Sequence, residues 1–469
     1  MKRTRNKQGV ANAPEQGARN AAFWLFCLFI LSYFTRVTAR VEALGSMHFD
    51  LVLAALTALA IALAPRARRA GPAPKLDPVA RQLWLLLAYI LITIPFVEWP
   101  GSVVRNLEVY TKSLCFFFFV VTTVDTTRKL RILIIVYTAT QVFRVLEPLY
   151  MHLHSGYWGS FTSLGNWEYM DRLAGSPYDI INPNGLAFVV IMTLPFLYLV
   201  LRPSTVVRWA VFLGLTVAMC YALVLSASRS GFLGLVFMAL FVAWRSKRRG
   251  TYLVLGAVVA LISLGLMSDL QRERYVSIFS SHAKGAATAQ MRYTGVIADF
   301  KVSMRRPFFG HGLGTSREAN ANFRGEDLPS HDLYTEVAEE LGYIGLALTL
   351  ALIYSFLRAC WTAQRSLAHA PLDDMRLRFL HDVAATLVVV VAVDLFFSFA
   401  SFGLSEPYWY FVGGLSVVTA RLAAKLAPAS AALPAASPVR GRPLRRRWPL
   451  PATRPRRVLA RTLPRPRPR

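Results

Sequence analysis

Residues 207–245 read VRWAVFLGLTVAMCYALVLSASRSGFLGLVFMALFVAWR: two apolar blocks, 207–225 and 230–245, with hardly a loop between them. A stretch of about 20 such residues matches a bilayer core about 30 Å thick. The blocks are apolar on every face, whereas a surface helix of a soluble protein keeps a polar side. Between Arg208 and Arg245 the sole charge is Arg229, in Ser226-Ala227-Ser228-Arg229-Ser230. A charge at membrane depth is costly, and by default it faces a bundle interior or an aqueous cavity for a functional reason. A guanidinium fork placed there binds phosphate oxygens bidentately; the plain alternative is an arginine that snorkels to headgroups.

Similar blocks fall near 21–36, 47–64, 83–98, 107–124, 130–148, 184–201, 251–268, 335–357, 382–402 and 408–425, in a chain of 469 residues that is 55% apolar. The fold class expected is therefore an all-α polytopic membrane protein of about twelve transmembrane helices. No small-residue cleavage site follows Phe34, so the first block is taken as a helix and not a signal peptide. Basic clusters mark alternate connections: Arg66/Arg68/Arg69/Lys75, Arg128/Lys129/Arg131, Arg202/Arg208, Arg245/Lys247/Arg248/Arg249 and Arg358/Arg365/Arg376/Arg378. By the positive-inside rule these face the cytoplasm, with both termini. The organisation expected is a cytoplasmic segment 1–20, a membrane domain 21–426 with outward loops at about 149–183 and 269–334, and a tail 427–469. That Ala/Pro-rich, then Arg/Pro-rich tail cannot bury a core and is expected to be disordered against anionic lipid headgroups.

The net charge of +27 sits between apolar blocks and in the tail, not in a folded basic domain, so no nucleic-acid partner is expected. Cys27, Cys115, Cys220 and Cys360 lie in or beside apolar blocks without zinc spacing and read as small packing residues. No Walker lysine motif, His-Glu-x-x-His or outward Asp-x-Asp occurs, so neither ATP hydrolysis nor a catalytic metal is implied, and no cofactor is expected.

A loop as long as 269–334 is usually functional or disordered, and this one is not low in complexity. Tyr293, Val296, Ile297, Phe300 and Met304 recur at helical spacing, Pro307 ends the pattern, and the turn Gly310-His311-Gly312-Leu313-Gly314 follows. Arg292 opens that helix, with Arg305 and Arg306 behind it; each alone reads more readily as solvent-exposed charge. The glycine turn could cradle a phosphate, but ordinary turn geometry explains it better. Pro329-Ser330-His331-Asp332-Leu333-Tyr334 lies where the loop re-enters the membrane. A helix starting at Pro329 or Ser330 would place His331 in its first turn, where the dipole favours neutral imidazole and keeps a base available. His311 is the rival base.

In this order the motifs resemble the O-antigen ligase and polymerase superfamily of bacterial inner-membrane proteins. The resemblance covers roughly residues 170–355: Arg172-Leu-Ala-Gly175 leading to Asn182-Pro-Asn-Gly-Leu-Ala187, then Ser226 to Gly231, Arg292, Pro307 to Gly312, Ser330 to Tyr334, and Glu340 to Gly345. It implies transfer of a glycan from undecaprenyl diphosphate to an acceptor hydroxyl at the periplasmic face, without metal or nucleotide. The acceptor would be lipid A core, protein or another glycan. His331 would activate the acceptor; Arg229 and Arg292, aided by Arg172, would hold the diphosphate and offset charge on the leaving group. Glu340 would be structural or would orient the histidine. Two positions depart from the family pattern: Asp332, where asparagine is common, and Val296, where an aromatic is frequent.

Ligase and polymerase share these motifs; the His331 motif and the single large loop favour the ligase. The other class is a twelve-helix transporter or flippase. No internal repeat or paired broken helices support it, and the charges gather at one face.

Overall fold

Caps written into the sequence set several helix starts. The computed structural model describes residues 13–64, 76–165, 167–246, 249–250, 254, 256, 261, 265, 267–276, 286–330, 332–368, 374–400 and 403–431. Outside the described residues lie His331, the basic cluster Arg66 to Lys75, most of the expected span 251–268 and the tail from 432 onward. In chain order the helices are α1 (Ala13–Thr35), α2 (Val37–Arg40), α3 (Glu42–Ser46), α4 (Phe49–Leu63), α5 (Pro78–Thr93), α6 (Pro100–Thr123) and α7 (Thr127–Ser155). Strands β1 (Gly159–Gly165) and β2 (Glu168–Leu173) precede α8 (Pro183–Leu201), α9 (Val206–Ser226) and α10 (Arg229–Arg245). Then follow α11 (Asp269–Val276), α12 (Ala286–Ser303), α13 (Ser316–Arg324), α14 (Leu333–Leu367), α15 (Met375–Phe397) and α16 (Pro407–Ala431). Thr126, Asn182, Thr205, Ser228 and Asp374 each accept a hydrogen bond from an amide in the first turn of α7, α8, α9, α10 and α15.

Eight of these helices are long and apolar enough to cross a membrane: α1, α5, α7, α8, α9, α14, α15 and α16. The chain is a multi-pass membrane protein. Further helices cover α4, α6 and α10, at other expected blocks. Large apolar side chains such as Leu28, Leu56, Trp84 and Ile92 are exposed, as lipid-facing surfaces require. The interior is aromatic: Phe26, Phe116, Phe196 and Phe411 are buried, and the Tyr137 and Phe411 rings lie 4.5 Å apart. Helices α6 and α16 pack closely because Gly414 has no side chain; a Cβ there would sit 2.8 Å from the Val120 Cβ.

Two features depart from expectation. The first long loop is not helical or irregular: β1 and β2 form an antiparallel hairpin, with Phe161 and Tyr169 in edge contact across it at 5.8 Å. The fold is therefore helical with one small hairpin, in which Phe161 pairs with Asp171 and Tyr169 with Ser163, so the two rings are diagonal neighbours on one face. Second, α14 starts at Leu333, later than expected. The Asp332 side chain is its cap, accepting from the amides of Tyr334 and Thr335.

Helix α14 runs for 35 residues, far more than a bilayer core of about 30 Å requires. It is broken at Gly342, whose φ of 67° is left-handed and whose missing Cβ would lie 2.3 Å from the Phe308 carbonyl oxygen. The Tyr343 amide donates to the Pro307 carbonyl at 2.7 Å, fastening the kink to the large loop.

Candidate functional site

The starts of α8, α10 and α14 and the ends of α9 and α15 share one end of the bundle, since consecutive helices there run antiparallel. At that end α9 stops at Ser226, Ala227 takes a left-handed φ of 46°, and Ser228 caps α10 by accepting from the Gly231 amide. The Ser228 hydroxyl also donates to Asn184 Oδ1 at 2.9 Å, which ties the turn to the start of α8.

Two buried arginines hold this turn from outside. Arg172, on β2, donates from Nε to the Ser226 carbonyl at 2.8 Å and from Nη2 to Asn184 Oδ1 at 3.1 Å. Arg274, on α11, donates from Nε to the Ala227 carbonyl at 3.0 Å. These bonds to carbonyl and amide oxygens orient both guanidinium groups. Burial pushes Arg172 down to about 9, and the nearby charges of Arg274, Arg292 and Arg229 push the same way. Arg274 is pushed down to about 10, again by burial first and then by Arg229 and Arg292. Burial also lowers Arg292. Arg172 and Arg274 thus stay cationic at neutral pH while repelling their neighbours. Four guanidinium groups, those of Arg172, Arg229, Arg274 and Arg292, meet beside the N-terminus of α10. Its dipole adds partial positive charge, and an anion is the ligand this arrangement suits.

Arg172, Arg229 and Arg292, singled out in the sequence, are therefore brought together. Arg274 was missed. Its signal was available in the spacing: Gln271, Arg274 and Tyr275 fall on one face of a short polar helix, and all three are buried. Arg292 also faces a cavity of about 380 Å³ that is lined by Asn182 and Asn184.

His331 lies outside the described residues, but its flanks are fixed. Ser330 is buried with its hydroxyl 2.9 Å from that of Thr335, the Leu333 amide donates to the Ser398 carbonyl at 3.0 Å, and Asp332 is held as the α14 cap. The rival His311 is fully buried against Trp99 and Phe323, with Nδ1 3.1 Å from Glu98 Oε2. Its burial and its contact with Glu98 fit a packing role.

The glycine turn is not a phosphate cradle. The amides of His311 and Gly312 donate to the Glu339 and Glu340 carbonyls, and that of Gly314 donates to Glu340 Oε2 at 2.7 Å. Glu340 Oε1 accepts from the Ser316 amide at 3.3 Å, so this carboxylate is structural and pins the large loop to α14.

Residues 214–350 match the family model for O-antigen ligase. The chain carries an O-antigen ligase domain. No curated protein matches it. The ligase domain spans the α9–α10 turn with Arg229, both loop helices with Arg274 and Arg292, and the His331 segment. Arg172 and its hairpin lie upstream of the match and reach into the ligase domain through the Ser226 carbonyl. Proteins of the family that this domain resembles act on a lipid-linked glycan and a glycan acceptor.

Proposed function

We propose that this protein is an O-antigen ligase that moves a glycan from undecaprenyl diphosphate to an acceptor hydroxyl at the periplasmic face of the bacterial inner membrane. The observation that carries the reading is the convergence of Arg172, Arg229, Arg274 and Arg292 at the start of α10, within and beside the ligase domain. The diphosphate would sit among these guanidinium groups, which clamp its oxygens. His331 would take the acceptor hydroxyl's proton as its oxygen attacks the anomeric carbon. The bond from that carbon to the diphosphate oxygen breaks, and the leaving diphosphate keeps the electron pair. Preorganised positive charge stabilises the anion as it develops, which is the work a metal does in other glycosyl transfers.

A second cavity of about 620 Å³ supports a polyprenyl tail. It lies among Leu194, Phe212, Cys220, Phe232, Val236 and Val389, between α8, α9, α10 and α15, and begins one turn beyond Arg229. Purified protein given undecaprenyl-diphosphate-linked glycan and lipid A core should yield a single transfer product. A ladder of lengthened lipid-linked glycans would make it a polymerase, and no binding of the lipid diphosphate would refute the donor assignment.

A further inference from the structure

The cavity of about 380 Å³ beside Arg292 has a size typical of small-ligand pockets. Its walls are aromatic, with Phe34, Phe188, Phe397 and Trp409 presenting apolar faces. Among these faces stand three polar groups without a partner among the described residues, the Tyr408 hydroxyl and one atom each of Gln141 and Asp394. Gln141 is 2% exposed; its Oε1 accepts from Arg144 Nη1 at 3.1 Å, but its Nε2 has no partner among the described residues. Asp394, on α15, is 4% exposed, and its Oδ2 has none either. An amide donor and a carboxylate acceptor, buried and unsatisfied in one cavity, are costly unless a ligand completes them.

The chemistry of that ligand follows from the pair. A hydroxyl donates to a carboxylate and accepts from an amide N–H, so hydroxyl groups satisfy both. A phosphate in the cavity itself would meet the Asp394 and Glu406 carboxylates, while the positive charge of Arg144 is paired with Asp179 at 2.6 Å. A pyranose has hydroxyls around its rim and C–H faces for the aromatic walls. Arg292 decides which sugar: it lines the cavity and belongs to the arginine cluster, so a ring in the cavity lies next to a diphosphate on the arginines. We infer that the cavity between Gln141 and Asp394 is the subsite for the first sugar of the lipid-linked glycan, selected by hydrogen bonds from that sugar's hydroxyls to these two side chains. The inference rests on the donor assignment made above.

Affinities of the full chain in lipid nanodiscs for two probes, undecaprenyl diphosphate and undecaprenyl diphosphate N-acetylglucosamine, test it. Wild-type protein should bind the sugar-bearing lipid about tenfold or more tightly than the bare one. Gln141→Leu and Asp394→Leu keep side-chain size and should each remove most of that preference while leaving affinity for bare undecaprenyl diphosphate unchanged. Replacing a buried carboxylate that has one oxygen without a partner should also leave thermal stability undiminished in Asp394→Leu. Equal loss for both lipids, or an unchanged preference, would overturn the subsite. Should Asp394→Leu not fold, Gln141→Leu, on a different helix, decides alone. Wild-type protein that binds neither lipid refutes the donor assignment itself, and a wild type that binds both equally refutes only the sugar subsite.

Discussion

Arg172 donates from Nε to the Ser226 carbonyl oxygen at 2.8 Å, so a strand outside the ligase domain grips the turn that presents Arg229 three residues later. The hairpin is thus part of the site's frame, and Arg172 both shapes the turn and adds charge beside it.

Removing Arg172 should therefore do two kinds of damage. Arg172→Ala is expected to lower glycan transfer by roughly a hundred- to a thousandfold, the usual cost of losing one preorganised electrostatic contact. Arg172→Lys should recover only part of it, since an ammonium retains charge but cannot reach Ser226 and Asn184 together in the same fork. Initial transfer rates on purified variants of matched stability measure this; full activity in Arg172→Ala would exclude it from the site.

Arg229 and Arg274 should behave alike in binding. Arg229→Ala and Arg274→Ala are each expected to weaken undecaprenyl diphosphate binding and transfer together, with Arg229→Lys partly restored. A normal Arg229→Ala protein would mean that the residue merely snorkels.

The histidines should separate cleanly. His331→Ala is expected to abolish transfer with donor binding nearly intact. His311→Ala should instead lower the melting temperature, because it empties a fully buried site packed on Trp99 and Phe323. The reverse result, an active His331→Ala beside a folded but dead His311→Ala, would reassign the base.

Glu340 offers a control for structural loss. Glu340→Leu leaves the Gly314 and Ser316 amides without their acceptor, at a cost of about 1–3 kcal/mol for each buried group. Thermal unfolding in detergent should fall well below wild type, and a transfer defect with unchanged stability would give this carboxylate a role in chemistry instead.

Orientation is tested separately. A cysteine introduced at position 331 should react with an impermeant maleimide in cells whose inner membrane is intact, and one at position 247 only after that membrane is disrupted. Truncation after Ala427 should preserve most activity. Labelling of position 331 only after inner-membrane disruption would invert the topology and remove the site from the periplasm.

Much of this was legible in the chain itself. Apolar blocks located many of the helices, and Arg229 announced itself as a charge where hydrophobic sequence leaves no room for one. The hairpin was not legible, because a short two-residue alternation inside a long polar loop is a weak signal next to helix-length periodicity. Arg274 escaped for a different reason. In the run Asp269-Leu270-Gln271-Arg272-Glu273-Arg274-Tyr275-Val276 it looks like one more surface charge. Only burial against the Ala227 carbonyl separates it from Arg272, which remains half exposed. The start of α14 was misplaced because both Ser330 and Asp332 are good caps, and the bond from the Leu333 amide to the Ser398 carbonyl favours the later one.

The four arginines come from segments made at different times. Ribosomal synthesis delivers β2 and the α9–α10 turn well before α11 and α12, so Arg172 can dock on Ser226 while Arg274 and Arg292 have yet to be translated. The closing step of biogenesis is then the one that gathers like charges, after most of the bundle has inserted. That step runs against electrostatic repulsion, and a lipid diphosphate already in the membrane would assist it by binding the finished arrangement and not its precursor. Were the proposed donor to act in this way it would be a maturation factor, and cells depleted of it should accumulate chains whose large loop is cut by added protease at sites that the mature protein protects.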